Sequence, residues 1–221
     1  MKTSSPERLG PRLDRLKQIV LLEMPPGVKQ KILEFITSMK DSDLLTKAIK
    51  KGDKAPDFTL KDIYDNDVNL YAELEKGPVI LCYYRGEWCP FCVEELVALQ
   101  EVYPHFRRMG AQLLSVSPQN KAHTLSTSGK LGLTYPVLRD LDSKISDLYG
   151  LTITVDEVMR KVHEEIGIYI DEYNGNLSYK LPIPAAYVID QAGAIVFDYL
   201  NADYTQRVEP LDLLDNLRRL T

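Results

Sequence analysis

The chain has 221 residues, 44% hydrophobic and 27% charged, with a formal net charge of -5 and a pI near 5.3. A globular unit of this length buries roughly 70% of its unfolded surface, so it needs no disulfide framework to fold. The acidic balance offers no basic field for nucleic acid, and the longest apolar runs, Ile19 to Leu22 and Val79 to Tyr84, are too short to span a bilayer. The segment Met1 to Leu16 lacks the continuous apolar stretch of a secretory signal, so a cytoplasmic protein without membrane or nucleic-acid partners is expected.

Residues 5 to 50 read as helical. Leu13, Leu16 and Val20 form one stripe, and Val28, Ile32, Phe35, Ile36 and Met39 form another, with Pro25-Pro26-Gly27 between them. Such stripes need cover, either from the chain's own body or from a second copy in a homodimer. The texture changes at Lys51-Gly52-Asp53, dividing the chain into an N-terminal helical arm, 1–50, and a body, 51–221. The body opens with a hairpin, Phe58 to Leu60 and Val68 to Leu70, turning at Asp65, Asn66 and Asp67.

A buried strand, Val79 to Tyr84, precedes a helix from Cys89 to Tyr103, which Pro104 is expected to end or kink. Then follow a strand at Gln112 to Ser117, a helix at Asn120 to Leu131, an extended piece at Pro136 to Leu138, and a helix at Ser143 to Tyr149 closed by Gly150. Residues 155 to 170 read as a helical insertion leading into a polar loop at Asn174-Gly175-Asn176. Two strands, Ala185 to Asp190 and Ile195 to Leu200, and a last helix bearing Leu211, Leu214 and Leu217 complete the pattern. The order implies an α/β fold, a mixed central sheet flanked by helices.

Chemistry concentrates in Tyr84 to Cys92, YRGEWCPFC. There are only three cysteines, Cys82, Cys89 and Cys92, too few and too uneven for a secreted disulfide scaffold. If Cys89 stands at the helix boundary, Pro90 takes the first helical position, where its missing N–H costs nothing. The free N–H groups of the first turn and the positive end of the dipole then favour a thiolate. Positions i and i+3 lie about 5 to 6 Å apart, inside the roughly 4.4 to 6.8 Å a disulfide tolerates between Cα atoms. Arg85 could present positive charge to the thiolate, and Trp88 could shield it from water, although a surface arginine and a core tryptophan are the duller readings. A zinc site would need ligands from His105, His123 and His163, none paired at short spacing with another ligand. Cys82 reads as a small core residue.

These residues carry a resemblance. Gly52-Asp53-Lys54-Ala55-Pro56-Asp57-Phe58, the stretch Tyr84 to Cys92, Leu133-Thr134-Tyr135-Pro136-Val137-Leu138 and Pro182 to Asp190 are similar to segments of the peroxiredoxin-like branch of the alkyl hydroperoxide reductase and thiol-specific antioxidant superfamily. The resemblance covers nearly the whole chain and implies a thioredoxin-like fold. It implies that Pro184 is a cis-proline facing the cysteines and that Ile183 offers backbone to a docked thiol or peptide, with Trp88 alongside as a substrate-binding residue. Members of the superfamily carry Pro-x-x-x-Thr-x-x-Cys; here Arg85 stands at the proline, Cys89 at the threonine and Cys92 at the peroxidatic cysteine.

Motif position thus makes Cys92 the attacking residue and Cys89 its resolving partner in a redox disulfide; read as a thioredoxin, the same stretch reverses the roles. The resemblance implies a thiol peroxidase acting on hydrogen peroxide or organic hydroperoxides, recycled by thioredoxin or a similar dithiol and requiring no metal or organic cofactor. The alternative is a thiol-disulfide oxidoreductase acting on protein disulfides. Asp203-Tyr204-Thr205-Gln206-Arg207 resembles another recurring stretch, for which the residues themselves suggest only a turn before the last helix.

Overall fold

The computed structural model describes residues 7–220, so residues 1–6 of the expected arm lie outside the described residues. Two helices open the fold, α1 (Leu9–Glu23) and α2 (Pro26–Asp41). Pro25 and Pro26 cap and start α2, where a missing N–H costs nothing. The buried stripe of α1, Leu9 and Leu13, joins the core beneath the sheet, while Val28, Ile32 and Ile36 of α2 build a second cluster with Val155, Met159 and Val162. Both apolar faces are therefore covered within the chain. Polar ties fix α1 in place: Arg12 reaches Glu94 at 2.5 Å and Glu101 at 2.8 Å. The Glu209 carboxylate accepts from the N–H groups of Leu9 at 3.0 Å and Gly10 at 2.6 Å, an anion at a helix N-terminus.

The body is one seven-stranded mixed sheet in the order β2-β1-β5-β4-β3-β8-β9. The strands are β1 (Thr59–Lys61), β2 (Asp67–Asn69), β3 (Val79–Tyr83), β4 (Gln112–Ser117), β5 (Val137–Arg139), β8 (Ala185–Ile189) and β9 (Ile195–Leu200). β3 runs parallel to β4 and antiparallel to β8, so it is paired on both edges and buried throughout. Its side chains alternate between two cores, as a pleated strand requires. Ile80 and Cys82 face the layer of α1, α4 (Pro90–Arg108) and α9 (Pro210–Arg218), whereas Val79, Leu81 and Tyr83 face α3 (Leu70–Leu74) and Tyr149 beside α6 (Lys144–Leu148).

Two expectations need correction. Pro104 does not end the helix: α4 continues to Arg108. A proline inside a helix costs about 3 kcal/mol. Here the turn beyond it carries Phe106, 0% exposed, into the same core as Tyr103 at 7%, and burying an aromatic ring offsets that cost. The segment read as a helix and polar loop is also more structured. It holds a two-stranded antiparallel ribbon, β6 (Thr152–Thr154) with β7 (Lys180–Pro182), around α7 (Glu157–Glu165) and a short α8 (Ile170–Asn174). The two strands are separated by both helices, so no turn residues announce their pairing. α5 (Lys121–Leu131) follows expectation, its Asn120 cap accepting from the His123 N–H at 3.1 Å.

Candidate active site

β3 ends at Tyr83 in the middle of the sheet, and the loop from Tyr84 to Trp88 leads to the start of α4. Cys89 is the N-cap residue of that helix, with extended φ/ψ of -93 and 107, and Pro90 occupies the first helical position. Gly86 has φ of 158, and a Cβ there would run into the Trp88 indole, so only glycine lets the ring fold back over the loop. Glu87 anchors the loop to the rest of the fold. Its N–H donates to Gln119 Oε1 at 2.7 Å, and its carboxylate meets His123 at 2.7 Å, Ser126 at 2.9 Å and Lys130 at 3.3 Å.

Cys89 is 2% exposed and Cys92 0%; both are free thiols, as is buried Cys82. Two buried arginines flank the pair. Arg207, from the loop before α9, donates from Nη2 to Cys92 Sγ at 3.1 Å and from Nε to Glu95 Oε2 at 2.7 Å. Arg85 donates its backbone N–H to the same sulfur at 3.4 Å. The Arg85 side chain is sandwiched: its guanidinium carbon lies 4.6 Å from the Trp88 ring centroid and 4.0 Å from that of Tyr204. Such cation–π contacts gain strength where water is excluded. Arg85 Nη2 is 3.3 Å from His163 Nε2, and its Nε is buried with no hydrogen-bond partner among the described residues. His163 Nδ1 lies 2.7 Å from the Met159 carbonyl, which can only accept, so Nδ1 carries the hydrogen and Nε2 is the bare acceptor.

The two sulfurs are not equivalent. Burial by itself pushes the Cys89 thiol up, but the Cys92 thiol and the guanidiniums of Arg85 and Arg207 outweigh it and bring Cys89 down to about 6. Burial pushes the Cys92 thiol well up, and the neighbouring Cys89 adds to the rise. Cys92 accepts from Arg207 and hands its own proton toward Cys89, so the pair is polarised outward. Beneath it, burial raises the Glu95 carboxyl to about 8 despite Arg207, with Cys92 adding to the rise. Burial and the adjacent Arg85 lower His163 to about 4.

A cavity of about 50 Å³ opens beside Cys89. Arg85, Trp88, His163 and Tyr204 line its polar side, and Val20, Met24, Ile32 and Ile166 line its apolar side, so the arm and the 155–170 segment together cover the cysteine. The structure thus brings Arg85, Trp88, Cys89 and Cys92 together. It does not bring Ile183 to the cavity. That residue packs with Met39 and Ala202, and its N–H donates to the Leu151 carbonyl at 2.7 Å. The expected cis-proline is corrected as well, since no peptide bond among the described residues is cis, Pro184 included. Ile183 is pinned on both sides, continuing from β7 into β8, and the extended course leaves the ordinary trans bond in place.

Arg207, Glu95, His163 and Tyr204 belong to the site without having been singled out for it in the sequence. Tyr204 and Arg207 come from the Asp203 to Arg207 stretch, whose recurrence was the available signal. Among the described residues, no group of three or more His, Cys, Asp or Glu side chains could hold a metal ion, and no helix is long and apolar enough to cross a membrane.

A central buried strand running into a helix whose N-cap and third residue are a cysteine pair, in a mixed sheet with helices on both faces, defines a thioredoxin-like fold. The AhpC/TSA family model matches residues 51–197, and the chain belongs to that family. Chloroplastic peroxiredoxin Q of Arabidopsis thaliana is 27% identical over 166 residues, which make up 75% of this chain and 66% of that protein. The thiol-disulfide oxidoreductase ResA of Geobacillus thermodenitrificans is 29% identical over 105 residues, 47% of this chain and 59% of the relative. The chain thus spans about two thirds or less of the length of these two relatives. Among solved structures, peroxidoxin BcpB of Mycobacterium tuberculosis superposes with a TM-score of 0.62 at 19% identity, covering 78% of this chain and 99% of that one.

Proposed function

We propose that the protein is a thiol-dependent peroxidase that reduces hydrogen peroxide or organic hydroperoxides through the Cys89–Cys92 dithiol. The observation that carries this reading is Cys89: it stands at the N-cap position of α4 without a side-chain capping hydrogen bond, lines the cavity beside Arg85, and has its thiol lowered to about 6. Cys89 is therefore the attacking sulfur in our reading, in place of the Cys92 that motif position favours. Its thiolate attacks the terminal oxygen of ROOH; the O–O bond breaks, sulfur is oxidised to a sulfenic acid, and RO⁻ leaves to take up a proton as ROH. Cys92 then attacks the sulfenic sulfur, water departs, and a disulfide links the pair. Thioredoxin or a similar dithiol returns both cysteines to thiols by exchange. With only three cysteines in the chain, the reducing cytoplasm is the proposed setting.

A second reading, thiol-disulfide exchange with protein partners, is favoured by two observations: a cysteine stands where peroxiredoxins carry threonine, and ResA is among the relatives. Stopped-flow oxidation by hydrogen peroxide and by cumene hydroperoxide separates the two. The peroxidase reading expects thiol oxidation at least a hundredfold faster than free cysteine, on the scale of about 10² or more for a positioned catalytic group. Oxidation no faster than free cysteine, with ready reduction of insulin disulfides, would establish the exchange reading instead.

A further inference from the structure

A buried guanidinium ordinarily finds a carboxylate, because an isolated charge is costly to desolvate. Arg207 obeys this with Glu95 at 2.7 Å. Arg85, only 3% exposed, does not: among the described residues the side-chain groups that meet its head are neutral, His163 Nε2 at 3.3 Å and the Tyr204 hydroxyl. We propose that His163 is a positioning residue: as a neutral acceptor on Arg85 Nη2, it holds the guanidinium between Trp88 and Tyr204 beside Cys89 without cancelling its charge. The inference rests on the reading of Cys89 as the attacking thiolate.

The chemistry follows from what a neutral acceptor does. A carboxylate at position 163 would fix the guanidinium equally well but would neutralise it, so the sulfur would face an ion pair instead of a cation. An imidazole whose Nδ1 hydrogen is committed to the Met159 carbonyl can offer only a lone pair at Nε2. Burial and Arg85 together lower its affinity for a proton, which keeps that lone pair available at neutral pH. The Trp88 ring, 5.5 Å from the imidazole and nearly perpendicular to it, fixes the geometry from the other side.

The charged and titratable groups around Cys89 are few. Arg85 comes from the β3–α4 loop, Arg207 and Tyr204 from the loop before α9, Cys92 and Glu95 from α4, and His163 from α7. On α2, which packs against α7, Lys31 pairs with Glu165 at 3.8 Å, and Arg160 of α7 stacks on Tyr179. Apart from Cys89 itself, no anion among these is placed on Arg85. The segment that supplies His163 is thus given a task in the chemistry beyond covering the cavity.

The test is iodoacetamide alkylation of the full chain across pH, with the modified cysteine located by peptide mass, for the native protein and the variants His163→Gln, His163→Leu and His163→Glu. Gln and Glu share a shape and differ in charge, and Gln Oε1 accepts where Nε2 did. The Gln variant is expected to keep the native midpoint of Cys89, the Leu variant to raise it, and the Glu variant to raise it most. A rise of about one unit cuts the alkylation rate near pH 5 about tenfold. Equal midpoints for Gln and Glu would overturn the proposal. If thermal melting shows the Glu variant unfolded, Leu against Gln decides, and equal midpoints there overturn it equally. Alkylation falling on Cys92 in the native chain would remove the attacking-sulfur assignment and this proposal with it. No peroxide enters the assay, so a chain that alkylates as expected yet ignores hydroperoxides sinks the peroxidase reading alone.

Discussion

Arg207 and Arg85 flank one cysteine pair at 6% and 3% exposure, yet the first meets a carboxylate at 2.7 Å and the second an imidazole nitrogen at 3.3 Å. The inner arginine is structural in its bonding: besides Glu95 it reaches the backbone carbonyls of Tyr204 and Gln206, tying the last loop to α4. The outer one is held by rings and a lone pair, and its charge is spent on nothing until Cys89 ionises. Both guanidiniums lower Cys89, but only the inner one also holds the fold together, because its other partners are a core carboxyl and the carbonyls of the last loop.

Replacing each arginine sharpens the contrast. Arg207→Met strands Glu95 in the core, and removing one member of a buried ion pair costs about 3–5 kcal/mol. Urea denaturation should show that loss above about pH 8, where Glu95 is charged, shrinking as the pH falls through that value and the carboxyl protonates, and Glu95→Leu in the same background should recover most of it. An Arg207→Met protein as stable as the native one would break the comparison at its inner side.

The next effect lies in His163. Its folded value is lowered from 6.5 to about 4, so between those values the unfolded chain binds the proton that the folded chain refuses. Stability therefore rises with pH across that window and is lost as pH falls through it, by roughly 3 kcal/mol at most. His163→Gln should flatten that part of the pH–stability curve; a curve unchanged by the substitution would show that the imidazole is not held neutral. The smallest effect on folding is expected from Arg85→Met, which strands no carboxylate. Its stability should stay within about 1 kcal/mol of native, while the Cys89 midpoint rises and alkylation near pH 5 slows about tenfold.

Much of this was legible in the sequence because it is local. The continuous apolar run Val79 to Tyr84 announced a doubly covered strand, Cys89-Pro90 marked a helix start, and the stripes through Leu13 and Ile32 located both arm helices. The site's second half was not, because it is assembled across distance. Arg207 meets Glu95 and Cys92 across separations of 112 and 115 residues, and Arg85 meets His163 across 78. No periodicity reports such a meeting. One trace was available: Glu95 sits beside Leu96 on the buried side of α4, and an acid there demands a buried cation from somewhere. The ribbon of β6 and β7 escaped because α7 and α8 lie between its strands, so no turn marks their pairing as Asp65 to Asp67 mark that of β1 and β2, and Pro104 misled because its local cost was outweighed by Phe106 beyond it.

The attacking sulfur can be identified directly by treating Cys92→Ser and Cys89→Ser with one equivalent of hydrogen peroxide in the presence of dimedone and mapping the adduct by peptide mass. The account predicts a sulfenic acid trapped on Cys89 when Cys92 is serine, formed as fast as the native thiol is oxidised, and almost none on Cys92 when Cys89 is serine. An adduct on Cys92 forming at the native rate in the Cys89→Ser protein would contradict it.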